Sequence, residues 1–185
     1  MFMMNNAIFT EEMLTVLAEM KGKTFKSYEC VKMGTSMTYG KCRLNLGTFS
    51  IDLYNYVHTM PFFGAVEDIP YFSCERMDKN SEYVTCEKNS IPHVYMIDEK
   101  IQSVEIVNDE INVNHGEYQI TIDQALIIKT KDNVYSFYKD WMYSEVINIA
   151  VDRSDETVYP EEKVYNEWSD NGSDYTEIKR TRKVL

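Results

Sequence analysis

The chain has 185 residues, enough to enclose one hydrophobic core, and its 44% hydrophobic and 26% charged content exclude wholesale disorder. Thirty acidic against nineteen basic residues leave a net charge of −11, which repels phosphates and anionic lipid. Nucleic acid and membrane surfaces are therefore excluded as direct partners, and a basic protein is favoured.

The first nine residues, Met1 to Phe9, carry neither a basic segment nor a sustained apolar one, so no export signal is expected. No run reaches the roughly 18 apolar residues of a membrane span. A cytoplasmic location follows, with Cys30, Cys42, Cys74 and Cys86 as thiols.

A helix is predicted from Glu11 to Lys21. Thr10 caps it, Glu11 and Glu12 favour its positive end, and Gly22 stops it. Met13, Leu14, Val16, Leu17 and Met20 recur at helical spacing and form its apolar face. Beyond Gly22 the period becomes two. Cys42, Leu44 and Leu46 alternate with polar residues, as do Phe49, Ile51 and Leu53, and Gly47-Thr48 between them predicts a tight hairpin.

Pro61, Gly64 and Pro70 predict a loop between two groups of strands. Strands then follow at 94–97, 102–107, 118–122, 125–130, 134–138 and 145–151. Asp98-Glu99 falls between two of them, and Asp109-Glu110 reads as a turn.

From Asp152 the composition changes. Residues 152–177 hold nine acids and two bases, whereas Lys179, Arg180, Arg182 and Lys183 make the end basic. Pro160 at a helix N1 position starts one short helix through Tyr165 and Trp168. Residues 152–185 are thus expected to form an acidic arm with a frayed basic end, docked in part on a single domain of residues 1–151.

A local repeat lies among the cysteines. Tyr28-x-Cys30-x-Lys32-Met33 continues to Tyr39-x-x-Cys42, and Phe72-x-Cys74-x-Arg76-Met77 continues to Tyr83-x-x-Cys86. Within each copy the Cys pair and the Met–Tyr pair share one index sum, as directly opposed residues of a hairpin do. The repeat is read either as a duplicated hairpin with Cys facing Cys or as chance similarity of two strands.

Chemistry-bearing motifs are few. Both cysteine gaps are eleven residues, not the close pairs of a zinc knuckle. Gly34 to Cys42 resembles a phosphate-binding loop, but its glycines are one residue too far apart and Cys42 replaces the Ser or Thr that holds magnesium. His58, His93 and His115 stand apart from one another, and no nucleophile-elbow or dinucleotide-binding pattern occurs. No catalytic residue, cofactor or metal is expected.

The fold class expected is α+β, with the N-terminal helix packed on a predominantly antiparallel sheet. The expected function is non-enzymatic: an acidic inhibitor or adaptor that binds a basic protein through Asp155, Glu156, Glu161, Glu162, Glu167, Asp170 and Asp174. In size, acidity and lack of catalytic motifs the chain is similar to acidic inhibitors of nucleases carried by phages and mobile elements, of the anti-CRISPR or anti-restriction type. Such a protein mimics nucleic acid in a positively charged channel. The alternatives are a hydrolase or nuclease assembled from scattered Cys, His and Asp, and a bacterial immunity protein.

Overall fold

The computed structural model describes residues 5–34, 36–85, 90–152, 159–169 and 175–185. Strands β1 (Asn5–Ala7), β2 (Thr24–Met33), β3 (Met37–Asn45), β4 (Phe49–Phe62), β5 (Ala65–Asp78), β6 (His93–Val113), β7 (Tyr118–Thr130), β8 (Val134–Lys139), β9 (Val146–Val151) and β10 (Thr176–Val184) form one ten-stranded mixed sheet. Helices α1 (Glu11–Ala18) and α2 (Glu161–Ser169) are short. This overturns the α+β expectation, because the fold is mostly β.

The physical reason lies in how the sheet closes. The antiparallel pairings β6–β7, β7–β8, β8–β9, β9–β3, β3–β2 and β2–β6 return to their starting strand, making a ring of six. The ring pairs each of its members with two others and encloses a core of its own, so it needs no helical layer over one face. Phe25 packs edge-on against Tyr135, and Tyr28 against Phe137, joining β2 to β8 across the enclosed space. A register shift between Phe25 and Ser27 lets both aromatic rings point the same way, although Tyr28 lies three positions after Phe25. Val104, Ile106, Leu126, Ile128, Ile147 and Ile149 complete this core.

Gly40, at φ +65°, divides β3 between two partners on one edge: Met37–Tyr39 pair with β9, and Lys41–Asn45 pair with β4. The hairpin predicted around Gly47-Thr48 is present, with Leu44 opposite Ile51 and the Leu46 amide donating to the Phe49 carbonyl at 3.0 Å. Gly47 holds φ +80°, which a side chain would oppose.

The predicted loop through Pro61 and Pro70 is instead a long β4–β5 hairpin that turns at Phe63-Gly64. Pro61 lies opposite Val66, and Pro70 opposite Val57. Both prolines sit where the strand has a free edge: β5 pairs with β4 alone, and β3 engages β4 only over Ser50–Tyr54. A missing N–H costs nothing on such an edge. Residues 94–113 likewise form one strand rather than several, because Asp98 (φ +65°) and the shift between Ile101 and Ser103 absorb the irregularity without ending it. Asp109-Glu110 is no turn but lies mid-strand.

Helix α1 begins as predicted, the Thr10 side chain accepting from the Met13 amide at 3.3 Å, and ends three residues early. Leu17 and Met20 are buried in the main apolar cluster, which also takes in Leu53 and Phe72 of β4 and β5, whereas Met13, Leu14 and Val16 are only partly buried against it. We expect Leu17→Ala to cost about 2–5 kcal/mol and Leu14→Ala distinctly less, with the exposed Glu12→Ala near neutral. Urea titration of the three variants checks this ranking, and equal effects would contradict it.

Candidate functional site

The basic end of the chain is not frayed. Strand β10 pairs with β6 over nine residues, from Thr176 opposite Val113 to Val184 opposite Glu105. Arg180 forks onto Asp109, Nε to Oδ1 at 2.7 Å and Nη2 to Oδ2 at 2.8 Å, and donates from Nη1 to the Tyr159 carbonyl at 2.6 Å. A fully buried carboxylate on β6 and a guanidinium 71 positions away thus neutralise each other and tie down the chain entering α2.

Val164 and Trp168, one turn apart, face inward with Tyr159, and all three are buried in a second apolar cluster with Ile111, Ile120 and Tyr118. The Trp168 ring stacks on Tyr118 at 5.8 Å. Glu161 and Glu162 occupy the first turn of the same helix and are exposed. There they favour the helix dipole and remain free to face solvent.

Glu167 does not share their exposure. Its side chain is 13% accessible, and Tyr159 donates to its Oε2 at 2.8 Å. Burial raises its pKa, against the lowering effects of the Tyr159 hydrogen bond and of Lys163. It lies three residues after Val164 and beside Trp168, on the packed side of the helix, so it supports the docking rather than the outer face. Asp155, Glu156, Asp170 and Asp174 lie outside the described residues.

A second feature lies at the ring. Tyr28, Cys30, Lys32, Met37, Tyr95 and Ile149 line a cavity of about 280 Å³. The Tyr28 and Tyr95 rings stack at 4.6 Å to form one wall. Cys30 stands directly opposite Cys42 on β3 and His93 on β6. Met33, however, faces Met37 rather than Tyr39, because the register shifts between Cys30 and Lys32.

The second half of the predicted repeat is overturned. Cys74 lies opposite Leu53 of β4 and Met77 opposite Ser50, while residues 81–85 belong to no strand. Cys86 lies outside the described residues. Among the described residues Cys30, Cys42 and Cys74 are all thiols.

The two opposed thiols differ electrostatically. A hydrogen bond from Cys42 lowers the Cys30 pKa, working against burial and helped by Thr38. Burial raises the Cys42 pKa well above the ordinary thiol value, and its interaction with Cys30 adds to that. Cys74 is pushed up to about 12 by burial alone. Chemically, then, Cys30 is the sulfur best able to act as a thiolate, with Cys42 as its proton-bearing neighbour.

The other sequence candidates disperse. His58 stacks on Tyr71 at 4.0 Å and His115 on Tyr175 at 4.2 Å, distant in the sheet from the cysteines and from each other. Among the described residues no group of three His, Cys, Asp or Glu side chains is placed to hold a metal ion, and no helix is long and apolar enough to cross a membrane.

Sequence reasoning did not foresee that Asp52, Lys139 and Asp109 are buried, because strands distant in sequence decide what covers and pairs with each of them. The Asp52 carboxylate is met by Arg43 Nε at 2.6 Å and Lys41 Nζ at 2.8 Å. Residues 81–84 cover that cluster, their Ser81, Glu82 and Val84 carbonyls accepting from Arg43 and Lys41. It is a clamp for a connecting segment rather than a reactive site. Comparison of the chain with protein-family models, with curated proteins and with solved structures finds no match.

Proposed function

We propose that the chain is a non-enzymatic binding protein, an acidic inhibitor or adaptor that offers carboxylates to a basic protein. Its partner class is a nuclease or other protein with a positively charged nucleic-acid channel, which includes the targets of anti-CRISPR and anti-restriction inhibitors. The single observation that supports this reading is the setting of α2. Val164, Trp168 and Tyr159 anchor the helix in an apolar cluster, and Glu161 and Glu162 project from its exposed first turn. Carboxylates held on an anchored helix lose little backbone freedom on association, so less of the attraction is spent on ordering.

The net charge of −11 adds long-range steering toward a basic surface. Several of the basic side chains that would oppose it are already engaged with acids of the same chain, among them Arg43 with Asp52, Arg180 with Asp109 and Lys129 with Glu105.

The test is capture of basic proteins from a nuclease-bearing host by the immobilised chain, with the retained proteins identified by mass spectrometry. The parent should hold a basic nucleic-acid-handling protein that salt elutes, and Glu161→Lys/Glu162→Lys should lose it. Equal retention by the variant would move the binding face elsewhere. Retention of no basic protein would contradict the reading itself.

A further inference from the structure

We propose that Cys30 and Cys42 form a peroxide-sensitive dithiol that closes reversibly to a cross-strand disulfide, with Cys30 as the sulfur oxidised first. The site is independent of the acidic helix and of any protein partner.

Geometry carries the proposal. Cys30 and Cys42 are directly opposed on antiparallel strands. Such positions hold their Cα atoms roughly 4.5–5.5 Å apart, inside the span of about 4.4–6.8 Å that a disulfide bridges. No strand need slide or turn for the bond to form. Cys74, whose opposed residue is Leu53, has no such neighbour on β4.

Cys30, 2% exposed, lines the 280 Å³ cavity, whereas Cys42 is 0% exposed and is not among its lining residues; Cys74 is slightly more exposed at 7%, so what sets Cys30 apart is the cavity and the opposed Cys42 rather than exposure. That space admits a peroxide but is small for a peptide-sized disulfide. Lys32, on the cavity wall, places a positive charge near the sulfur. Its interactions with Cys42 and Thr38 lower its pKa. Each of these favours the thiolate, the form that attacks a peroxide. Glu29, the residue before Cys30, acts in the opposite sense.

The chemistry closes without a further reactant. The Cys30 thiolate attacks one oxygen of hydrogen peroxide, the O–O bond breaks, and Cys30 becomes a sulfenic acid as hydroxide leaves and takes up a proton. The Cys42 sulfur then attacks the Cys30 sulfur. An S–S bond forms, the S–O bond breaks, and the oxygen departs as water carrying the Cys42 proton. Two thiols lose two electrons and two protons in total, and one peroxide becomes two waters. A small-molecule thiol reverses the bond by exchange.

The test uses the full reduced chain treated with hydrogen peroxide, followed by intact-mass measurement and peptide mapping under non-reducing conditions. The expected product has lost two hydrogens and yields a cross-linked pair of peptides containing Cys30 and Cys42, while Cys74 and Cys86 stay thiols. Cys42→Ser should stop at the sulfenic acid and trap a dimedone adduct on Cys30. In the untreated parent, Cys30 should alkylate at least roughly tenfold faster than Cys74 near neutral pH. First oxidation at Cys74 or Cys86 would overturn the proposal, as would a sulfenic acid on Cys30 in the parent that never resolves to a disulfide. The mapping on the parent decides the matter even where a variant folds poorly.

Discussion

Asp52→Ala should destabilise the protein by about 3–5 kcal/mol, the range for removing one partner of a buried ion pair. The carboxylate is 0% exposed and neutralises two cations, Lys41 and Arg43, that are themselves nearly buried. Without it, two cationic charges remain in a poorly solvated place, met by carbonyl oxygens, the ring faces of Tyr54 and Tyr83, and the half-buried Glu29 opposite Arg43. Burial pushes the Asp52 carboxyl up, but hydrogen bonds from Arg43 and Lys41 outweigh it and bring the pKa below the ordinary value.

A folded pKa below the unfolded one means that this stabilisation is present above about pH 4. It is lost as the pH falls through the folded value. Replacing all three residues together, as Lys41→Met, Arg43→Met and Asp52→Leu, should cost much less than Asp52→Ala, since no cation is left buried without its carboxylate and only the half-buried Glu29 loses its cations. Urea titration of both proteins is the check. A triple variant less stable than the single one would mean that the cluster contributes through attraction rather than through the penalty of breaking it.

Lys139 should give the second large effect, of opposite sign. Its side chain is 0% exposed, and its ammonium donates to Asn55 Oδ1 at 3.3 Å and to the Pro70 carbonyl, two oxygens with no formal charge. Burial lowers its pKa to about 7, with Glu167 opposing the shift. In the unfolded chain the same amine binds its proton up to about pH 10.4. Between those values the unfolded state holds more protons, so the contribution of Lys139 to stability rises with pH. It is complete above the unfolded pKa and is lost as the pH falls through about 7.

A methionine in place of this lysine would carry no proton and show no such dependence. The stability advantage of Lys139→Met over the parent should therefore be largest near pH 6 and shrink by roughly 2–3 kcal/mol between pH 7 and pH 9, at about 1.4 kcal/mol per unit. Paired urea titrations across that range read it directly. A constant difference would mean that Lys139 keeps its charge in the folded protein.

Both effects concern residues whose role could not be read from the chain alone, and the reason is general. Alternation told where strands run, because pleating is local: the Gly47 hairpin, the Thr10 cap, the start of α2 at Pro160 and the opposition of Cys30 with Cys42 all follow from nearby residues. Pairing between distant strands decides what a charged residue meets. Asp109 read as part of a turn until Arg180, 71 positions later, supplied its partner. Pro61 and Pro70 read as breakers because sequence does not say which strand edges go unpaired.

The same divide runs through the candidate sites. The acids of α2 were visible, but Glu167, expected to face the partner with Glu161 and Glu162, lies on the packed side with Val164 and Trp168. The cavity beside Cys30 was not visible, because it exists only once β8 and β9 close the ring across from β2. The first half of the repeat does oppose Cys30 and Cys42, whereas in its second half Cys74 lies opposite Leu53, because β5 pairs with β4.

The central functional claim is that association with a basic partner is electrostatic and passes through the first turn of α2. Stopped-flow association of the captured partner with the parent and with Glu161→Lys/Glu162→Lys, at low and high salt, tests it most directly. Charge steering predicts a steep fall of the parent's on-rate with ionic strength, and a slower, flatter on-rate for the variant. A variant that associates as fast as the parent at low salt, with its fold intact by urea titration, would contradict the claim.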